Sequence, residues 1–469
     1  MSSIECSTDS AISFKGNDRL TLGIVLGVLT FWLFAQSTVN IIPAIQNDID
    51  IPLGSLNLAI SFTALFSGCF VVVAGGFADK IGRVRMTNIG FLLSIIGCLC
   101  IIFAQGTILF SIGRIIQGLS GACIMPSTLA IMKTYYEGKE RQRALSFWSI
   151  GSWGGSGVCS LAGGAIATYM SWKWIFIISI ICAILGMLLI RGTPESKIEE
   201  NKQQKFDYQG LVTFVITLIS LNLIITKGSS FGWISTETLS LAGIFIIFAA
   251  LFFRNARHKK TASFIDFSLF KNKPYSAAAI SNLMLNAVAG TLLVASIYVQ
   301  QGRGFSAFQS GMLTIGYLVA VLGMIRVGEK LLQKVGAKKP MIWGTCMTGI
   351  GIALMALTFL PNLSYVIAVF VGYILFGLGL GFYATPSTDT AISSAPEDRI
   401  GVASGIYKMG SSLGGAFGVA ISASVYTVML PLGVETAATG GLLVNVAFCL
   451  CALLFIVTMV PKNAGKLAE

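Results

Sequence analysis

Two stretches of this sequence combine residue types and spacing suited to holding or releasing charge. The first reads GGFADKIGRVRM, from Gly75 to Met86. Gly76 and Gly82 permit a tight loop, Asp79 can accept from helix N-termini or an arginine, and Arg83 and Arg85 offer charge-assisted donors. Such a set can clamp neighbouring helices in one conformation and release them in another. A basic turn that only marks one side of a membrane needs neither the two glycines nor the acid. The second stretch, IGRIIQG, puts Arg114 and Gln117 three residues apart, on one helical face. A guanidinium inside an apolar span is costly in lipid and must face the interior. There it serves either a substrate or proton path or as inter-helix glue, bonded to backbone or to Gln36 and Asn40 of the first span.

Further along, GSWGGSGVCSLAGG runs from Gly151 to Gly164. Gly151, Gly155, Cys159 and Gly163, with Gly164 beside them, form a smooth stripe that lets a second helix approach closely, either as simple packing or as a seam that slides. ATPSTDTAI and GIYKMGSSLGGAFG place Asp389 and Lys408 among apolar and small residues. Ionisable groups inside a membrane are functional candidates by default, although Lys408 has the length to snorkel to an interface. Phe31, Trp32, Phe34, Trp148, Trp153, Tyr383 and Tyr407 supply faces for flat or cationic compounds or, individually, for lipid packing.

Catalysis lacks its parts. His258 is the one histidine, no CxxC pair occurs, and nine of the ten cysteines fall inside apolar spans as small packing residues. There is no HExxH, no clustered acid pair and no GxxxxGK[ST] loop, so zinc chemistry, a membrane-embedded hydrolase and ATP-driven transport are all disfavoured.

The elements that must position these residues are membrane helices. The 469 residues are 55% hydrophobic and 11% charged. The apolar residues fall in runs of about 20, the length that crosses a bilayer. Fourteen spans are expected, from 20–45 to 437–460, in an all-α membrane protein with no separate soluble domain. The first span is too long for a cleavable signal core and is expected to remain. A net charge of +12 sits in short loops, which excludes nucleic acid as partner and fits the lipid bilayer. Lys80, Arg83, Arg85, Lys139, Arg141, Arg143, Lys197, Lys202, Arg257, Lys259 and Lys260 occupy alternate loops, which should be cytoplasmic. An even number of spans then puts both termini in the cytoplasm of a multi-pass cell-membrane protein. Gly82-Arg83-Val84-Arg85 and Gly336-Ala337-Lys338-Lys339 repeat one pattern after corresponding spans. The expected organisation is a tail, 1–19, a six-helix bundle, 20–192, a linker with two extra helices, 193–273, a second six-helix bundle, 274–461, and a tail, 462–469.

The GGFADKIGRVR loop, Arg114 with Gln117-Gly118 and the glycine-rich fifth span resemble the signature motifs of major facilitator drug/proton antiporters, in the fourteen-helix branch. WSIGSWGGSGVCS, IRVGEKLLQ, TPSTDTAI and GIYKMGSSLGGAFGVA are similar to the quinolone exporters of Gram-positive bacteria. The resemblance runs from about Asn17 to Pro461. It implies the major facilitator fold, with two six-helix halves plus two additional helices, and efflux of quinolones and other amphipathic drugs. The proton would be the coupling ion, with no other cofactor and a monomer as the unit. An exporter or importer of another small metabolite or lipid-like substrate would share the fold. The family's fifth-span motif usually has Gly-Pro where Cys159-Ser160 stand here, so a proline hinge is missing. Many relatives also have an aspartate in the first helix where Ala35 stands. The acids left to carry a proton are Asp389 and Glu329; Asp389 is the better candidate, because Thr385, Pro386, Ser387 and Thr388 surround it with small polar groups and a helix break, whereas Glu329 should pair with Arg326 three residues earlier.

Overall fold

The computed structural model describes residues 14–466, apart from positions 41–44, 46, 47, 50, 52, 156–158, 160, 161, 164, 165, 167, 168, 198–206, 260–264, 266 and 306. Every regular element among them is helical: α1 Asp18–Asn40, α2 Leu53–Ile81, α3 Arg83–Ile102, α4 Thr107–Tyr135 and α5 Gly138–Ser149, which runs into a π-helical turn, Ile150–Gly154. Then follow α6 Lys173–Ile190, α7 Tyr208–Phe231, α8 Thr236–Lys259, α9 Lys273–Ala287, α10 Gly290–Gln301, α11 Ala307–Val335, α12 Lys338–Met355, α13 Asn362–Ser394, α14 Ile400–Met429 and α15 Val434–Met459. Ten spans among the described residues are long and apolar enough to cross a membrane, with α9 and α10 together making one of them.

The polar residues direct the packing. Arg114, Gln117, Asp389 and Asn445 are fully buried, whereas Ile246, Ile247, Phe253, Leu363 and Leu454 are exposed on outward faces. In water that distribution would be unstable; around a bilayer it places apolar side chains against lipid and polar ones against each other. Helix α4 packs against α2 and α3, α13 against α11 and α12, α1 against α6, and α7 against α8. Helix α14 lies along α2 and α9 and so joins the early and late parts of the chain.

Chain breaks follow local chemistry. Helices α2 and α3 are separated by Gly82 alone, at φ 119°, and α11 ends just before Gly336, at φ 79°. Both glycines occupy the left-handed region that a side chain resists, at the two places where the sequence repeat lies. Asp207 caps α7 by accepting from Gly210 N–H at 2.8 Å, and it also accepts from Lys259 Nζ at 2.6 Å, tying the start of α7 to the end of α8. At the other end of the molecule Lys173 lies 3.1 Å from Asp48 and holds that carboxyl below its usual range.

Two expected helices differ from the sequence pattern. The span expected at 274–300 is broken at Val288-Ala289 into α9 and α10, beside Gly290, where α14 passes so closely that a Cβ would come within 2.5 Å of Gly418 O. The fifth span loses its regular hydrogen bonding at Ile150–Gly154, several residues before Cys159-Ser160. The irregularity expected from proline is thus supplied by a π turn, the kind of bulge that recurs where helices bend at functional sites.

Candidate functional site

The GGFADKIGRVRM motif is where the early and late helices lock together. Asp79, 4% exposed, stands in the last turn of α2 and points at the first turn of α14. Its two oxygens accept from Gly401 N–H at 3.0 and 2.8 Å, and from Val402 N–H at 3.3 Å. A carboxylate there satisfies the free amides of a helix start and the positive end of its dipole. Arg83, one turn on, donates to Asp79 Oδ1 through Nε at 3.2 Å and Nη2 at 3.0 Å. The same guanidinium reaches Thr134 Oγ1 at 2.6 Å on α4 and Glu397 O at 3.3 Å before α14. Nearby, Lys133 donates to Ala395 O.

Glycine makes the contact possible. Gly75 and Gly401 meet backbone to backbone, and a Cβ on Gly405 would lie 2.8 Å from Val71 O. Gly76 faces Val402 Cγ2 at 3.5 Å from where its Cβ would be. Arg85 does not join the expected clamp: its side chain is exposed, and it contributes its backbone N–H, which donates to Glu195 Oε2 at 2.8 Å. Glu195 also accepts from Val84 N–H at 2.9 Å, so this residue caps α3 immediately after the Gly82 turn.

A second lock closes the same end. Asp389, fully buried near the end of α13, accepts from Arg141 Nε at 3.3 Å and from Gln142 Nε2 at 3.5 Å, both at the start of α5. Gln142 Nε2 also donates to Gly465 O at 2.9 Å, which folds the segment after α15 across the lock. Glu329 is 4% exposed, pairs with Arg326 as its spacing implies, and accepts from Gln333 Nε2 at 3.2 Å. Ion pairing therefore no longer separates Asp389 from Glu329 as proton carrier, and α13 runs unbroken through Pro386, which leaves the small polar Thr385, Ser387 and Thr388 as what favours Asp389.

Deeper in, Arg114 Nη1 donates to Gln117 Oε1 at 2.9 Å and Nη2 to Ile60 O at 3.3 Å, joining α4 to α2. The side chains of Gln36 and Asn40 lie outside the described residues, as does Gly164. From the π turn onward, Gly151 packs on Val28 and Gly155 on Trp32, so the start of the glycine stripe is the face on which α1 lies; Cys159 and Gly163 are buried further along. Lys408 has not snorkelled. It is 8% exposed, donates to Ser152 Oγ at 3.1 Å in the π turn, and sits 4.8 Å from the centroid of the Trp148 ring. Trp153 meets Tyr383 edge-on at 6.2 Å, so the π turn touches both α13 and α14. Among the described residues no group of three His, Cys, Asp or Glu could hold a metal.

A helical body with buried charges at inter-helix locks and apolar side chains on its outward faces is that of a multi-span membrane protein. The chain belongs to the Major Facilitator Superfamily, whose model matches residues 24–419. It is similar to the quinolone resistance protein NorB of Staphylococcus aureus. Identity is 54% with that of strain MRSA252 and 55% with that of strain COL, in each case over 96% of this chain and 97% of the relative. The fold is similar to that of the proton:xylose symporter XylE, with a TM-score of 0.67 at 17% identity over 96% of both chains. It also resembles the human organic anion transporter MFSD10, with a TM-score of 0.66 at 14% identity over 93% of this chain and 99% of that one.

Proposed function

We propose that the chain is a multidrug exporter that moves quinolones and other amphipathic compounds out of the cell by proton antiport. Near full-length identity above 50% with NorB carries this proposal. In it, 20–192 and 274–461 are the two six-helix halves, 193–273 inserts two further spans to make fourteen, and the chain works as a monomer in the cell membrane. The basic loops and both termini face the cytoplasm, as the charge bias favours. The Asp79 and Asp389 locks then form a cytoplasmic gate, and release of both opens the drug path to the cytoplasm. The proton is the only coupling species, carried by Asp389 or Glu329 as the locks part and re-form.

Proteoliposomes with an imposed pH gradient test this directly. Norfloxacin should accumulate against its own gradient only when the pH gradient is present. Asp389→Asn should abolish the pH-driven component while leaving drug binding measurable, and Glu329→Gln should weaken transport only in part. Accumulation that ignores the pH gradient would refute antiport, and full coupling in Asp389→Asn would remove that carboxylate as carrier.

A further inference from the structure

We propose that Lys408 is the centre of a buried carboxylate-binding site between α5 and α14, which takes the acid group of aromatic amphiphiles. The proposal deepens the export function above by naming the substrate class that the path selects.

Lys408 differs from the buried ions that sit in carboxylate pairs, and from Arg114, which donates to both Gln117 Oε1 and Ile60 O. Asp79 faces Arg83, Asp389 faces Arg141 and Asp207 faces Lys259, yet no described carboxylate lies within ion-pair distance of Lys408. Its one hydrogen bond among the described residues goes to Ser152 Oγ, leaving the other ammonium N–H groups without an acceptor there. The Trp148 ring face offsets part of the charge, since a cation over indole is attracted by the ring quadrupole. An ammonium so deeply buried is nevertheless costly until an anion joins it.

Other polar groups on the neighbouring elements are also unmatched. Trp32 Nε1, Ser149 Oγ and Ser404 Oγ are buried, and none has a hydrogen-bond partner among the described residues. Ser404 precedes Lys408 by four residues on α14 and so shares its helix face, and Ser149 ends α5 just before the π turn that carries Ser152. Trp32 lies against Gly155, three residues past Ser152. An indole N–H can only donate, an ammonium can only donate, and the serine hydroxyls can donate as well. A carboxylate is the complement: it accepts at two oxygens, brings the one negative charge that the site lacks, and donates nothing. The aromatic rings of Trp148, Trp153 and Tyr383 beside the site suit an acid carried on a flat ring. A doubly charged anion would leave a charge uncompensated.

Equilibrium binding of norfloxacin and of its methyl ester to detergent-purified protein tests the site, because esterification removes the carboxylate and keeps the ring. The wild-type protein should bind the acid at least about tenfold more tightly than the ester. Lys408→Met should bind the two alike, and Lys408→Arg should keep a preference for the acid. Equal binding of acid and ester by wild type, a preference retained in Lys408→Met, or no binding of norfloxacin at all would each overturn the site. Gradient-driven uptake of the same pair separates this from the export proposal: an acid preference in binding without uptake sustains the site and refutes export, whereas equal uptake of acid and ester with equal binding does the reverse.

Discussion

Asp79 shows how much one side chain can hold. Its carboxylate receives three backbone contacts from the start of α14 and two from the Arg83 guanidinium, while almost no water reaches it. Hydrogen bonds to a charged group contribute about 1.5–3 kcal/mol each, and leaving such a donor unmatched costs a comparable amount. Asp79→Asn keeps the shape and one acceptor oxygen but loses the charge. The closed end should then be disfavoured by enough to slow drug turnover about tenfold or more, with the protein still folded and drug still bound. Transport assays on vesicles with matched protein content check this; an unchanged rate would remove Asp79 from the gate. The sequence alone pointed to Asp79 and Arg83 because both stand in one short motif. It did not point to Glu195 capping Arg85, or to Arg141 and Gln142 on Asp389, because those partners lie 110, 248 and 247 positions apart. An acid after Pro194 at the end of a span was the one local hint of the former. Arg141 was visible only as a topology-setting cation.

At the scale of elements, small residues decide where helices can meet. The α2–α14 seam depends on Gly75, Gly401 and Gly405 presenting bare backbone, and this face was less legible than the stripe in α5. GIYKMGSSLGGAFG advertised its glycines, but nothing local told which of them faced α2. Overpacking a tight contact costs about 1–3 kcal/mol, and Gly405→Ala would press a methyl into Val71. Cys69 lies on α2 beside Leu413 and Ser412 of α14, buried in the closed seam. With Cys69 kept as the sole cysteine, Gly405→Ala should speed its alkylation by N-ethylmaleimide, and an unaltered rate would show that the seam tolerates the methyl. The π turn at Ile150–Gly154 was equally hidden. Cys159-Ser160 in place of Gly-Pro removed the expected hinge, yet a bulge requires no particular residue, only packing that rewards it, here against Leu322, Tyr383 and Lys408.

For the whole molecule, hydropathy was enough to reveal a membrane body, and the motifs were enough to reveal its family, since both are written in contiguous stretches. Register between distant helices was not, because side-chain partners across the body obey no local period. Two locks, Asp79 on α14 and Asp389 on α5, fasten the early helices to the late ones, and the proposed function requires them to part for substrate to enter from the cytoplasmic side. The most direct measurement of that claim is a reversible cross-link across the first lock. Gly76 and Val402 face each other across it, the Cβ position of Gly76 lying 3.5 Å from Val402 Cγ2, so cysteines at the two positions fall within reach of a cross-link. In a background without other cysteines, oxidation of the Gly76→Cys, Val402→Cys protein should abolish pH-driven norfloxacin accumulation, and reduction should restore it. Undiminished accumulation by the fully cross-linked protein would show that this end need not open, and the account of the gate would be wrong.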